Sequence, residues 1–212
     1  MAKTHKRQHT IPRVYLSSWV EPYTPPGQTA AINIITKETG VVRRKSPEKS
    51  FTENDHYTVY LKDGTRDLSV ENHLGRIESD FQGVLHALRE GKPLFVSHRA
   101  KLAVFTAAMI GRSKPEGDWN RNQLQPLMDL FDKVEEVEGG PTPDGEEMRD
   151  LLNNHPAFFV TATMEAAAPV LFRMNLTILT TDDPIGFITC DSPAVMFNPQ
   201  AYKFPQIGRA HV

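Results

Sequence analysis

Three short segments hold the residues whose types and spacing could do chemistry. The first is Gln8-His9-x-x-Pro12-x-x-Tyr15-Leu16-x-x-Trp19. Pro12 stiffens the chain just after His9, and Tyr15, Leu16 and Trp19 can anchor the segment in a core. An imidazole and an amide would then be held in a defined place. A histidine held so can carry a proton near neutral pH or ligate a metal. The alternative is a histidine that only hydrogen-bonds locally beside core aromatics. The second segment is a helix bearing Glu71 and Glu78, seven positions apart. That is close to two helical turns, so both carboxylates share a side. They flank an apolar stripe, where a carboxylate needs a partner or stays partly wet. Arg112 is the natural counterpart, because helical spacing sets it in the row of Phe105 and Met109. One reading is a structural Glu78–Arg112 ion pair joining two helices. The other is an Arg112 that orients an acidic group or binds phosphate. The third segment is Thr189-Cys190-Asp191-Ser192-Pro193. Here Asp191 stands at a strand end, either as a carboxylate at a site mouth or as an Asx-type turn.

These segments need elements to bring them together. Residues 30–36 (AAINIIT) read as a strand, with Lys37-Glu38-Thr39-Gly40 as a hairpin turn before Val41 and Val42. HYTVYLK (56–62) reads as another strand, stopped at Asp63-Gly64. The first third is thus expected to be a small antiparallel sheet. The middle is helical. Over 68–90, Leu74, Ile77, Phe81, Val84, Leu85 and Leu88 recur at three and four, and Gly91 and Pro93 stop the helix. A second helix is expected from an N-cap at Ser97 to Arg112, and a third over 122–138. GGPTPDG (139–145) reads as a flexible loop. Asp144 and Glu147 resemble a capping box for a short helix to Asn154. A last helix over 157–173 should kink or split at Pro169. LTILTT (176–181) and FITC (187–190) are expected to pair as a late β-hairpin around a loop at 182–186. The fold class is therefore α+β: a small N-terminal antiparallel sheet, a central helical bundle and a late β-hairpin.

Composition bounds the function. At 212 residues, with 39% hydrophobic and 24% charged, the chain suits one domain with a real core. A net charge of −2 gives no global field toward nucleic acid or an anionic membrane. The basic run Arg43-Arg44-Lys45 reads as a solvated strand end, though with Lys3, Lys6 and Arg7 it can form a local patch. The lone cysteine, Cys190, allows no intrachain disulfide and no cysteine-held zinc. Its neighbours would not activate it as a nucleophile. The most apolar stretch, 102–110, is far short of the ~20 residues a spanning helix needs. No signal-peptide core follows the basic start. These features together lead to a cytoplasmic expectation, with no membrane partner.

The last six residues, Ile207 to Val212, fit no helix or strand before them. They look like the translation of a sequencing adapter up to an in-frame stop. The expectation is one domain over 1–206, C-terminally incomplete, with 207–212 as an artefact.

Four sequence words together resemble the bacterial family DUF4238, a domain of unknown function. They are QHTIPRVYLSSW at 8–19, IESDF at 77–81, the helix-ending Arg112, and FITCDSP at 187–193. The resemblance covers most of residues 4–199. Trp19 stands where the family pattern has Phe, and Cys190 and Ser192 stand in place of Ser and Asn around Asp191. The resemblance implies that His9, Pro12, Glu78, Arg112, Asp191 and Pro193 belong together, and it implies no activity.

Two functional classes follow. In the first, the chain is a metal-dependent hydrolase of a phosphodiester or similar anionic substrate. His9, Glu78 and Asp191, with Arg112, would form the catalytic set, and Gln8 and Arg7 would hold substrate. One histidine and two carboxylates suit Mg²⁺ or Mn²⁺, which would activate water. Local basic segments would meet a phosphate-containing ligand or nucleic acid. In the second class the same His, Glu, Arg and Asp residues form a buried structural network in a non-catalytic binding or interaction module.

Overall fold

The structure, a computed structural model, describes residues 7–183 and 186–196, apart from the side chains of Asn153 and His155. The N-terminal arm is organised by Pro12. Extended backbone through Arg7–His9 (β1) gives way at Pro12, φ −53° and ψ 132°, to one helical turn, Arg13–Leu16 (α1), and a 3-10 turn, Ser17–Trp19. Ile11 and Leu16 bury against Ile32 in a small satellite core, with Tyr15 and Trp19 packed on it. The aromatic spacing read from the sequence therefore does anchor this segment.

Ile32–Ile35 (β2) and Val42–Lys45 (β3) pair antiparallel across a turn closed by Gly40 at φ +65°. Thr52–Asn54 (β4) pairs with β1, setting Gln8 opposite Glu53 and His9 opposite Thr52. Val59–Tyr60 (β5) pairs with Arg66–Asp67 (β6). The expected single sheet is thus three separate two-stranded ladders. The strands are too short to merge. A 3-10 turn at Pro47–Lys49 and left-handed residues at Phe51 and Asp55 break the backbone between them.

The helices follow their apolar periodicity. Ser69–Arg89 (α2) buries Leu74, Ile77, Phe81 and Val84, and ends at Gly91, φ +63°, with the Lys92 amide bonded back to the Ala87 carbonyl at 2.9 Å. Val96–Gly111 (α3) starts just before Ser97, with Phe95 at the cap position, so Ser97 lies inside the first turn. The Phe81 and Phe105 rings stack between these helices at 3.7 Å. Lys114–Glu138 (α4) begins well before position 122, because the extended residue Ser113 and Pro115 together start it. Its stripe is weakly used: Met128 is buried, while Leu127 and Val134 stay exposed.

Pro143–Asn153 (α5) is capped by Thr142, whose oxygen accepts from the Gly145 amide at 3.1 Å, and not by Asp144. The stretch expected to be loose is pinned. Gly139 ends α4 at φ +78°, and Glu135 accepts from the Thr142 amide at 2.8 Å while pairing with Arg149. His155–Arg173 (α6) runs through Pro169 as one helix. Pro169 has no amide to donate to the Glu165 carbonyl, and Glu165 is exposed, so water can take that place.

The main core joins α2, α3 and α6 with Tyr57 inserted from the β4–β5 loop. Gly111 lets α3 and α6 touch: a Cβ there would stand 3.0 Å from both Val160 Cα and Thr163 Cβ. The α+β class is as expected, but the late β-hairpin is not found among the described residues. Asp183 and Gly186 do make a turn, with a 2.9 Å amide-to-carbonyl bond. The flanking Leu176, Ile178, Leu179, Phe187 and Ile188 remain exposed and lack the buried face that holds a strand pair together. Residues 207–212 lie outside the described residues.

A candidate anion site at the α3–α4 junction

The junction is a short corner. Arg112 closes α3 in helical conformation, its amide bonded to the Ala108 carbonyl at 3.0 Å, and Ser113 then turns extended at ψ 137° before α4 begins. The corner aims the Arg112 side chain inward, where it is 3% exposed. One guanidinium nitrogen, Nη1, donates to Glu78 Oε1 at 2.8 Å. The cation stands 5.6 Å from the centre of the Tyr57 ring. Arg112 Nε and Tyr57 Oη are both buried with no hydrogen-bond partner. An unpaired buried donor is costly. Burial drives the Tyr57 phenol pKa well above its usual value.

Gln8 is completely buried. Its oxygen accepts from the Tyr57 amide, and its nitrogen donates to Thr58 Oγ1 at 3.0 Å. It thereby fixes the loop that carries Tyr57. His9 Nε2 donates to the Pro47 carbonyl at 3.3 Å. Burial lowers the imidazole pKa, partly offset by that bond and by the Glu78 charge, while Arg13 and Arg112 push it down further. His56 Nδ1 bonds Glu53 Oε2 at 2.8 Å, and its ring stands edge-on to Tyr57 at 4.7 Å. Burial lowers the His56 pKa, Glu53 raises it, and Arg112 lowers it.

A cavity of about 640 Å³ opens beside this corner. Arg7 and Thr10 reach it from the N-terminal arm, and Lys45 and Lys49 from the end of β3 and the turn after it. Phe51, Glu53 and His56 reach it from the β4 loop, and Gly111 to Lys114 from the corner itself. Thr52 in β4, Gly117 and Asp118 in α4, Pro156 and Phe159 in α6, and Asp191 complete the lining. Five permanent cations face three carboxylates. Two helix starts border the same space, and neither has a side-chain cap. Asn154, which stands at the cap position of α6, instead accepts from the Tyr60 amide at 3.1 Å. Uncapped first-turn amides add partial positive charge. Phe51 and Asp55 hold φ +52° and +53° in the loop that forms one wall. Phe51 is bulky enough for that conformation to be strained.

The residues singled out from the sequence divide around Arg112. Arg7, Arg112 and Asp191 share the cavity. Gln8 and His9 stand behind it and brace the loops. Glu78 grips Arg112 from α2 and faces a different surface cleft, with Arg13, Ser17 and Gln82. Among the described residues no three His, Cys, Asp or Glu side chains are gathered as a metal site, so His9, Glu78 and Asp191 do not meet as a ligand trio. Glu78 is committed to Arg112, and Asp191 reaches a space on which Glu78 has no surface. Tyr15 Oη bonds Thr189 Oγ1 at 2.7 Å, tying the N-terminal arm to the segment that carries Asp191.

Sequence reasoning missed Glu53, His56, Lys49 and Lys114. The one usable signal was the pairing of basic segments, since Arg7 and Lys45 do line one cavity. No helix among the described residues is long and apolar enough to cross a membrane.

Comparison with curated proteins and with solved structures gives no match. The family described as "Protein of unknown function (DUF4238)" matches residues 7–208. That span takes in the N-terminal arm, the Glu78–Arg112 pair and the Asp191 segment, and on it this chain belongs to the DUF4238 family.

Proposed function

We propose that the cavity at the α3–α4 junction binds a compact, phosphate-bearing anion. The observation that carries this reading is the buried Arg112, whose Nε has no partner, at the wall of a cavity that four more cations also line. Arginine and lysine donors, together with uncapped helix-start amides, suit the oxygens of phosphate. The cavity volume falls within the range of small-ligand sites.

Hydrolysis of a phosphodiester is a second reading, supported by the Glu53–His56 pair. Glu53 accepts at Nδ1, so neutral His56 keeps a free Nε2 able to take a proton from water. In this reading His56 replaces His9 as base, Asp191 orients the nucleophile and Arg112 steadies developing charge. His9, Glu78 and Gln8 then act as positioning residues, as in the structural-network alternative. Mg²⁺ or Mn²⁺ held by His9, Glu78 and Asp191 has no part in it.

The test is calorimetric titration with pyrophosphate and, separately, turnover of bis(p-nitrophenyl) phosphate. Binding that falls at least tenfold in Lys49→Ala/Lys114→Ala, with an unchanged melting curve, supports the site; these two cations are exposed and lie outside the core. A wild-type chain that ignores pyrophosphate overturns the anion reading. Binding without diester turnover removes the hydrolase and leaves the binding site.

A further inference from the structure

A second cavity, also about 640 Å³, shares the Ser113 and Asp118 walls of the first. Its character is different. Ile110, Pro115, Trp119, Ala167, Val170 and Val195 supply a mainly apolar lining. Small residues on this face of α6, Ala166 and Ala167, leave the room. Trp119 is 51% exposed, Val170 50% and Val195 74%. Apolar surface left open in one concave place marks an interaction site more often than scattered exposure does.

One strand of chain serves both cavities. Asp191 lines the first, and Ser192, Ala194, Val195 and Met196 line the second. The first turns of α4 serve both as well: Lys114 and Gly117 face the anion cavity, while Pro115 and Trp119 face the apolar one. A charged compartment and an apolar one therefore sit side by side, with Ser113 and Asp118 lining both.

We infer that the ligand is an aryl phosphate ester, with its phosphate in the cavity at Arg112 and its aromatic ring in the adjoining cavity against Trp119. The inference rests on the anion-binding reading and adds the chemical class of the rest of the molecule. An aromatic group suits a half-exposed indole with which it can pack face or edge. Polar groups also line the second cavity, among them Asn122, Thr163 and the Glu116 carboxylate, and they suit a ring bearing a hydroxyl or amide better than a plain alkyl chain. Apolar transfer of one ring is enough to separate an aryl ester from the bare anion by about tenfold or more.

The experiment compares three probes by calorimetry on the full chain: inorganic phosphate, 1-naphthyl phosphate and octyl phosphate. Each is titrated into the wild type and into Trp119→Ala. The expected result is that 1-naphthyl phosphate binds at least tenfold tighter than inorganic phosphate, and that Trp119→Ala removes the gain while leaving phosphate affinity unchanged. Equal affinities for naphthyl and inorganic phosphate overturn the inference while the anion site stands. A gain for octyl phosphate equal to that for the naphthyl ester, untouched by Trp119→Ala, also overturns it. Failure of all three probes sinks the underlying anion reading instead. Val170→Asn provides a second, uncharged variant on the α6 wall, should Trp119→Ala disturb the fold; it too is expected to abolish the naphthyl gain alone.

Discussion

Arg112 and Glu78 meet at 2.8 Å across the α2–α3 interface, but they are unequally placed. The guanidinium side chain is 3% exposed and the carboxylate side chain 24%. The pair therefore joins a cation largely withdrawn from bulk water to an anion that keeps partial access to it. Breaking it should cost different amounts from the two sides. Glu78→Gln leaves a buried, uncompensated guanidinium and is expected to lower stability by about 3 kcal/mol. Arg112→Met removes the buried charge, keeps the apolar stem and frees Glu78 to water, so it should cost about 1 kcal/mol or less. Urea unfolding of both variants decides the matter. Equal losses would mean that the asymmetry in burial has no energetic consequence.

Gln8 is another polar side chain closed inside the fold. It joins β1 to the loop that carries Tyr57 into the main core. Gln8→Leu removes the acceptor for the Tyr57 amide and the donor to Thr58. An amide left unsatisfied there should cost about 1–3 kcal/mol. Hydrogen exchange offers a local readout: the Tyr57 amide should lose protection well beyond the global change. Exchange that slows or stays the same would remove Gln8 from the role of brace.

Some of this was open to sequence reasoning, and the division has a physical cause. The stripe Leu74, Ile77, Phe81 and Val84 forms a helix face from local spacing alone, so α2 was legible almost to its last residue. The Glu78–Arg112 pair was legible for the same reason, as each residue lies at the inner edge of its own helix. The segment 176–190 was misread because β-branched and apolar residues mimic a strand, whereas a strand also needs a partner and a covered face. The start of α4 was missed because Pro115 and Gly117 look like breakers, although proline suits a first turn. The Glu53–His56 pair and Lys49 could not be read in advance. Their place on one cavity depends on a 3-10 turn at Pro47 and on left-handed backbone at Phe51 and Asp55, which no periodicity encodes.

Acid should loosen this protein through its two half-buried imidazoles. Burial holds both His9 and His56 below the ordinary value of 6.5, so the unfolded chain binds protons more readily than the folded one. The neutral imidazoles thus contribute stability that is fully present above 6.5 and is lost as pH falls through the lower folded-state values. Melting temperature should hold from pH 8 to 7 and drop below about pH 6.5. His9→Gln should flatten part of that drop, since an amide can still donate to the Pro47 carbonyl without titrating. A wild-type acid slope unchanged in His9→Gln would assign the whole effect to other groups.

Gly111 sets how closely α3 approaches α6, and through the next residue it sets where Arg112 stands. A Cβ at this position would lie 3.0 Å from Val160 Cα, a backbone atom that cannot rotate away. Gly111→Ala gains about 1 kcal/mol of helix propensity but must force the helices apart, at about 1–3 kcal/mol. The net expectation is a destabilisation of about 1 kcal/mol, with phosphate affinity falling because Arg112 shifts with the α3 end. Gly75 in α2 is the matched control, for a Cβ there meets nothing within 4 Å. Gly75→Ala keeps the propensity gain with no clash and should stabilise by about 1 kcal/mol. Paired thermal melts and phosphate titrations separate the two effects. If Gly111→Ala stabilised the chain as Gly75→Ala does, the tight α3–α6 crossing would not be what positions the arginine.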